Sequence, residues 1–316
     1  ILKTMNFIKK IVWLLLVAFL IAGCIREDMD DCKNVAVFFR YDADGQVDVL
    51  KQYIDKIDLY IFDESRRLVR IIAFDQDDFA EGTDIAPQFR LSAGKYTLVA
   101  VGNAYDRTTV EGLNTADFSR MFIQHPQWGN EGLISGHDHN YMGQREIVVP
   151  SNNEYLYETV RLYSSHIDVD VEIHGLPTAE VDGQRGVLPC TLSFEDSNAQ
   201  TDFNNEINAG QTCCVVPDLH YDATTDTWHT RDFTLFRMDR QGTLDAGLCC
   251  HRLRLEDAEG NPLAEFDMAG YLEQHRDVID VTRQEARLPI SIVFTPLGVT
   301  IKIPAWYIED ITPGWQ

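Results

Sequence analysis

The chain has 316 residues, with 50 acidic against 27 basic side chains and a formal net charge of −23. An excess of acid on that scale opposes binding to nucleic acid or to anionic lipid surfaces, both of which need clustered Lys and Arg. Hydrophobic residues make up 45% of the sequence, which excludes wholesale disorder and supplies cores for roughly two domains of about 150 residues.

Lys9 and Lys10 lead into an unbroken apolar run, Ile11 to Ile21, that closes on Ala22, Gly23 and Cys24. This is the order of a secretory signal, read best from Met5, with Ile1 to Thr4 upstream of it. The run is short of the roughly 20 residues a membrane-spanning helix needs. Its end, Leu20-Ile21-Ala22-Gly23-Cys24, is similar to a bacterial lipobox. Cleavage then falls between Gly23 and Cys24, after the Cys24 sulfur has taken a diacylglyceryl group. Residues 1–23 become a cleaved lipoprotein signal peptide, and residues 24–33 a lipidated tether rich in acid (Glu27, Asp28, Asp30, Asp31). Each acyl methylene contributes about 0.8 kcal/mol, and two chains or more hold a protein stably at a bilayer. Apart from that covalent lipid on Cys24 the sequence calls for no cofactor.

From Asn34 the pattern is β. Val35 to Phe39 is a strand ended by the turn Asp42-Ala43-Asp44-Gly45, which lacks the later acids of a calcium loop. Lys56 to Phe62 alternates, with Ile57, Leu59 and Ile61 on one face, and Leu68 to Phe74 returns as its partner. Phe89 to Leu91 and Tyr96 to Asn103 read as another hairpin, with Gly94 in its turn. Ala116 to Ile123 reads as a short helix with Thr115 as N-cap. Gln144 to Val149 is a strand stopped by Pro150, and a first domain spans 34–160. The second, 161–316, opens on Ile167-Asp168-Val169-Asp170-Val171-Glu172-Ile173, a strict apolar and acidic alternation. Strands follow near residues 188–194, 212–216, 232–238, 249–256 and 263–266, then a helix over 268–276. The tail reads as strands at 287–295, 299–303 and 306–311, kept from the centre of a sheet by Pro296 and Pro304. With no βα alternation and no heptad, the class is all-β: two antiparallel β-sandwiches in tandem.

Chemistry is hard to find. There is no GxSxG turn for a serine nucleophile and no glycine-rich phosphate loop. Adjacent acids such as Asp77-Asp78 and Glu309-Asp310 are expected by chance among so many, so the chain does not read as an enzyme. His137-Asp138-His139 could present two imidazoles on one side, but no further ligands are visible beside them and a loop is the plainer reading. Cys190, Cys213, Cys214, Cys249 and Cys250 are the candidate disulfide cysteines in the second half. The vicinal pairs at Cys213 and Cys249 best suit neighbouring strands, and their lack of a two-residue gap argues against a zinc knuckle. Trp128, Trp228, Tyr141 and Tyr271 could form a sugar platform, though they follow no repeat.

Several stretches taken together resemble a known group. They are the lipobox at Cys24, the acidic lead to Cys32, Asp58-Leu59-Tyr60-Ile61-Phe62-Asp63, Ala93-Gly94-Lys95-Tyr96 running into Val99-Ala100-Val101-Gly102-Asn103, and Ile303-Pro304-Ala305-Trp306. The chain resembles the fimbrillin-associated anchor lipoproteins of Bacteroidales type V pili, the minor-fimbrium anchor family. That resemblance implies two transthyretin-like Greek-key β-sandwich domains, no catalytic residues, and attachment through lipid to the outer membrane on the cell surface. It also implies a role at the base of a fimbrium with stalk subunits as partners. The acidic residues after Cys24 resemble an export signal to the outer face. Joining would be by β-strand addition, with Val299, Ile301, Ile303, Trp306 and Ile308 in the candidate donor segment and Val35 to Phe39 filling the chain's own groove. The alternatives are a tip or accessory fimbrial subunit, and a cell-surface glycan-binding lipoprotein of a nutrient-uptake system.

Overall fold

A computed structural model describes residues 33–78, 86–129, 134–152, 154–176, 178–181, 184–187, 189–208, 210–239 and 252–311. The signal, residues 24–32 of the tether with Cys24 and Cys32, and Cys249 and Cys250 lie outside these residues.

The first domain contains β1 (Val35–Arg40), a single helical turn α1 (Leu50–Tyr53), β2 (Lys56–Asp63), β3 (Leu68–Asp75), β4 (Gln88–Phe89), β5 (Gly94–Gly102), β6 (Thr109–Glu111), β7 (Phe122–Gln124), β8 (Tyr141–Val149), β9 (Leu156–Arg161) and β10 (Tyr163–Ser164). One sheet has the order β4-β1-β9, and the facing sheet β10-β8-β5-β2-β3. Val35, Val37 and Phe39 of β1 meet Ile57, Leu59 and Ile61 of β2 in the core between them. The other face of β2 and β5 is buried as well, by Phe118, Met121 and Ile123 of the β6–β7 region. Burial on both faces explains why Leu98 to Val101 is apolar without alternation.

The second domain contains β11 (His166–His174), β12 (Thr178–Val181), β13 (Gln184–Val187), β14 (Cys190–Asn198), β15 (Gln200–Asp202), β16 (Thr212–Val215), β17 (Leu219–Asp222), β18 (Thr227–Thr230), β19 (Thr234–Phe236), β20 (Arg252–Asp257), β21 (Pro262–Asp267), helix α2 (Met268–Gln274), β22 (Arg287–Thr295), β23 (Gly298–Lys302) and helix α3 (Ala305–Ile311). Its sheets run β17-β18-β11-β22-β23, with β19 also on β11, and β16-β14-β20-β21. Val169, Val171 and Ile173 of β11 join Ile290 and Ile292 of β22 against Leu192, Phe194, Leu253 and Leu255 of the opposite sheet. Helix α2 starts where expected, with the Asp267 carboxylate accepting from the Ala269 N–H at 3.1 Å.

The all-β class and the tandem sandwiches stand, and five local readings change, the first being the hairpin about Gly94: β4 pairs with β1, and β5 pairs with β2 and β8 in the facing sheet. Each domain contains one parallel pair, β1 with β9 and β11 with β22, where purely antiparallel sheets are expected from the sequence. The helix expected over 116–123 is a 3-10 turn at Phe118–Arg120 followed by β7, and its N-cap is Asp117 rather than Thr115. β22 is central, because Pro296 lies beyond its last residue and interrupts nothing. Residues 306–311, expected as a strand, are in α3. Pro304 immediately precedes that helix, where a fixed φ and a missing N–H favour a helical start.

The domains are sewn together. β15 of the second pairs antiparallel with β7 of the first, Thr201 opposite Ile123. Phe203 and Phe236 enter the core formed by Tyr60, Phe62, Val99 and Met142. In the turn after β1, Asp42 is held by Arg40 and Arg161, while Asp44 accepts from the Arg283 guanidinium at 3.2 Å and the Gln284 N–H at 3.1 Å. These acids are matched by arginines and backbone, as a turn and an interdomain contact, rather than arranged around an ion.

Candidate functional site

Two places carry functional potential: the open sheet edges and a cavity between the domains. Among the described residues β3 pairs only with β2, and β23 only with β22. An edge strand presents a row of unpaired N–H and C=O groups, the template that strand addition uses. On β3, Val69 and Ile71 are about half exposed (52% and 47%). The candidate donor segment serves its own domain here: Val299 and Ile301 lie on β23 and pack against the core, and Ile303 is buried. Trp306 and Ile308 lie on α3, where the Trp306 indole N–H donates to the Glu172 carboxylate at 3.2 Å. Residues 35–39 likewise occupy their own sheet, between β4 and β9.

The cavity, about 460 Å³, is lined by Tyr53, Tyr105, His139, Asp168 and Glu285 among others. Asp138 builds its rim by accepting from the N–H groups of Tyr105 and Arg107 and the Thr108 hydroxyl, at 2.9, 3.2 and 2.7 Å. Asn103, at φ +52°, folds back so that its amide bonds the Tyr53 carbonyl and the Asp55 N–H. Opposite, the Glu285 carboxylate accepts from the hydroxyls of Tyr41 and Tyr141. Burial pushes the Glu285 carboxyl up, and burial together with Glu285 pushes both tyrosines up.

His137 and His139 part company. His137 is buried, stacked on Phe236 at 3.7 Å, and burial pushes it down to about 3. His139 lies at the cavity with Nε2 3.0 Å from an Asp168 carboxylate oxygen, which raises its pKa. Burial raises Asp168, but the His139 hydrogen bond and the nearby positive groups outweigh it, so its carboxyl lies below the ordinary range. His166 completes the group; its Nδ1 is 3.0 Å from the Asn140 carbonyl, and burial holds it down at about 4. The sequence reading stopped at His137 and His139. His166 and Asp168 were legible only as the outward positions of an alternating strand, and Glu285 carried no signal.

The other candidates separate. Among the described residues Cys190, Cys213 and Cys214 form no disulfide with one another, and the Cys213 thiol lies 3.7 Å from the Ser197 and Asn198 carbonyls. β14 lies between β16, which carries Cys213 and Cys214, and β20, so the strand after Cys249 and Cys250 does not neighbour β16 as expected. Of the four aromatics for a sugar platform, Tyr141 and Tyr271 are buried, and Trp128 and Trp228 pack against the second core.

Shared strand pairing, a shared core and free sheet edges define a tandem β-sandwich protein. No helix among the described residues is long and apolar enough to cross a membrane. The chain belongs to the fimbrillin-associated anchor family: the model described as fimbrillin-A associated anchor proteins Mfa1 and Mfa2 matches residues 29–312. Among solved structures it is similar to a candidate adhesin from Bacteroides ovatus, at 16% identity, covering 89% of this chain and 96% of that one with a TM-score of 0.64. A protein from Bacteroides thetaiotaomicron described as a candidate polysaccharide-binding protein matches at 16% identity, 87% and 97% coverage and a TM-score of 0.63. The fimbrial anchor protein Mfa2 from Porphyromonas gingivalis matches at 15% identity, 87% and 98% coverage and a TM-score of 0.57. At those identities the likeness is one of fold. No curated protein matches the chain.

Proposed function

We propose that the chain is a structural fimbrial subunit, an anchor that holds a fimbrium to the outer membrane through lipid on Cys24 and contacts the neighbouring subunit by β-strand addition. The observation that carries this reading is the family match across both sandwiches, residues 29–312. The tether of acidic residues keeps the body clear of the bilayer, and the lipid replaces a spanning helix. For strand addition the C-terminal segment remains the choice, because β23 has an open outer edge and the hairpin before it ends in Leu297, 99% exposed.

Two measurements test the parts separately. Cys24→Ser should abolish palmitate labelling and release the protein from the membrane fraction; labelling that persists overturns the anchor. Deleting Leu297 to Gln316, or substituting Leu297→Asp in the intact chain, should abolish co-purification with fimbrial stalk subunits. Unchanged co-purification with both variants removes the tail from the contact. Recovery of the protein at the distal end of the fimbrium would make it a tip or accessory subunit instead. The glycan-binding reading draws on the description of the Bacteroides thetaiotaomicron neighbour, but the four aromatics singled out from the sequence are buried or packed against a core, and binding to polysaccharide would be needed to revive it.

A further inference from the structure

We infer that His139, His166 and Asp168 form a zinc site that staples the first domain to the second. One donor atom from each lies within 4.8 Å of the other two. The three come from both sides of the junction: His139 precedes β8, and His166 and Asp168 open β11. On β11 residues 166 and 168 share a face, because side chains two apart on a strand point the same way. Ile167 and Val169 point to the core, so the His and the Asp face the segment that carries His139.

The donor chemistry is that of zinc: two imidazoles and one carboxylate, with a fourth position left for water. The second shell is already in place. The His166 Nδ1–H donates to the Asn140 carbonyl at 3.0 Å, which leaves Nε2 as the ring's lone-pair nitrogen. This is how ligating histidines are oriented. The cavity of about 460 Å³ that His139, Asp168 and Glu285 line gives the fourth ligand room and an entry path. Zinc bonds of about 2.0–2.1 Å place tetrahedral donors about 3.3 Å apart. The gap of 3.0 Å between His139 and Asp168 is close to that, and the His139 side chain, 46% exposed, has room to adjust. A bare His–Asp ion pair would account for two of the three residues, but not for a buried second imidazole with its ring already oriented.

The test uses the full-length protein in detergent, with all thiols capped by iodoacetamide so that cysteines contribute no zinc. Wild type, titrated with zinc chloride in a calorimeter, should bind one ion per chain, and its melting temperature should rise with zinc and fall back with EDTA. His139→Ala and Asp168→Asn should each weaken zinc binding at least tenfold and remove the zinc-dependent shift. His139 is half exposed, so the first variant folds even if the second does not. A capped wild type that binds no zinc, or unchanged affinity in His139→Ala, overturns the site.

Discussion

Glu172 shows how one side chain ties the tail to the fold. Its carboxylate accepts from the Trp306 indole at 3.2 Å and lies 2.9 Å from His174 Nε2. Burial alone would raise its pKa, but those partners together with Ser291 win, and the net shift is downward. A depressed carboxyl contributes stability that is present above the unfolded value of about 4.3 and is lost as pH falls through the folded value. Glu172→Gln should therefore lower stability at pH 7 by about 1 kcal/mol, with the partly exposed pair discounted for screening. The difference should shrink to nothing toward pH 3. Urea titrations at both pH values check this, and a gap that widens in acid contradicts it. The neighbouring positions explain what sequence could and could not convey. The alternation from Ile167 to Ile173 is a period-two signal that no helix reproduces, and it lands on β11. Trp306, Tyr307 and Ile308 favour strands by propensity, yet form α3, because Pro304 starts a helix and Glu172, far away in the chain, holds the first turn. His139, His166 and Asp168 illustrate the same limit: the strand pattern was legible, but only the packing of the two domains brings an earlier loop onto it.

At the scale of elements, the parallel pair β1–β9 has a mechanical consequence. All six residues of β1 are in register with Leu156–Arg161. A load applied at residue 33 enters at the N-terminal end of β1, and the chain leaves β9 toward the second domain at the opposite end. Parallel strands pulled this way are sheared, so the ladder resists as a set of bonds rather than opening one at a time like an antiparallel hairpin. The carbonyls of Asn34 and Arg40 accept from the Leu156 and Leu162 N–H groups at 2.9 and 2.8 Å, so by alternation the backbone groups of Phe38 also face β9. Phe38 is 40% exposed, which makes it a site where the side chain can change with little loss of packing. Phe38→Pro should remove one bond of the ladder at a cost of roughly 1–3 kcal/mol and lower the force at which the first domain unfolds. Single-molecule stretching between residue 33 and residue 311 measures it; an unchanged rupture force would show that the load runs elsewhere. The second domain repeats the arrangement with β11 and β22, an echo that the sequence concealed because strand direction leaves no mark on hydrophobic pattern.

For the whole molecule, the question is whether two sandwiches behave as two. Length and the restart of alternation at Ile167 suggest separable domains, and interfaces between domains of one chain are often loose. Here the junction is built like a core. Phe203, 1% exposed, packs its ring against Tyr60 at 5.4 Å and Phe62 at 6.1 Å, and β15 extends the hairpin of β6 and β7 across the boundary. A junction of that kind couples the unfolding of its halves, so wild type should melt in a single calorimetric transition. Phe203→Ala removes one of the two phenylalanines that the second domain lends to this core, at a cost of about 3–5 kcal/mol when the cavity does not collapse. Because the two main cores are untouched, that loss should fall on the coupling, and the single transition should resolve into two, one for each sandwich. If Phe203→Ala lowers the melting temperature without splitting the transition, the domains unfold together for a reason other than this core. If wild type already melts in two steps, the junction transmits no stability, and a pull on the second domain would reach the first through a hinge instead of through one stiff body.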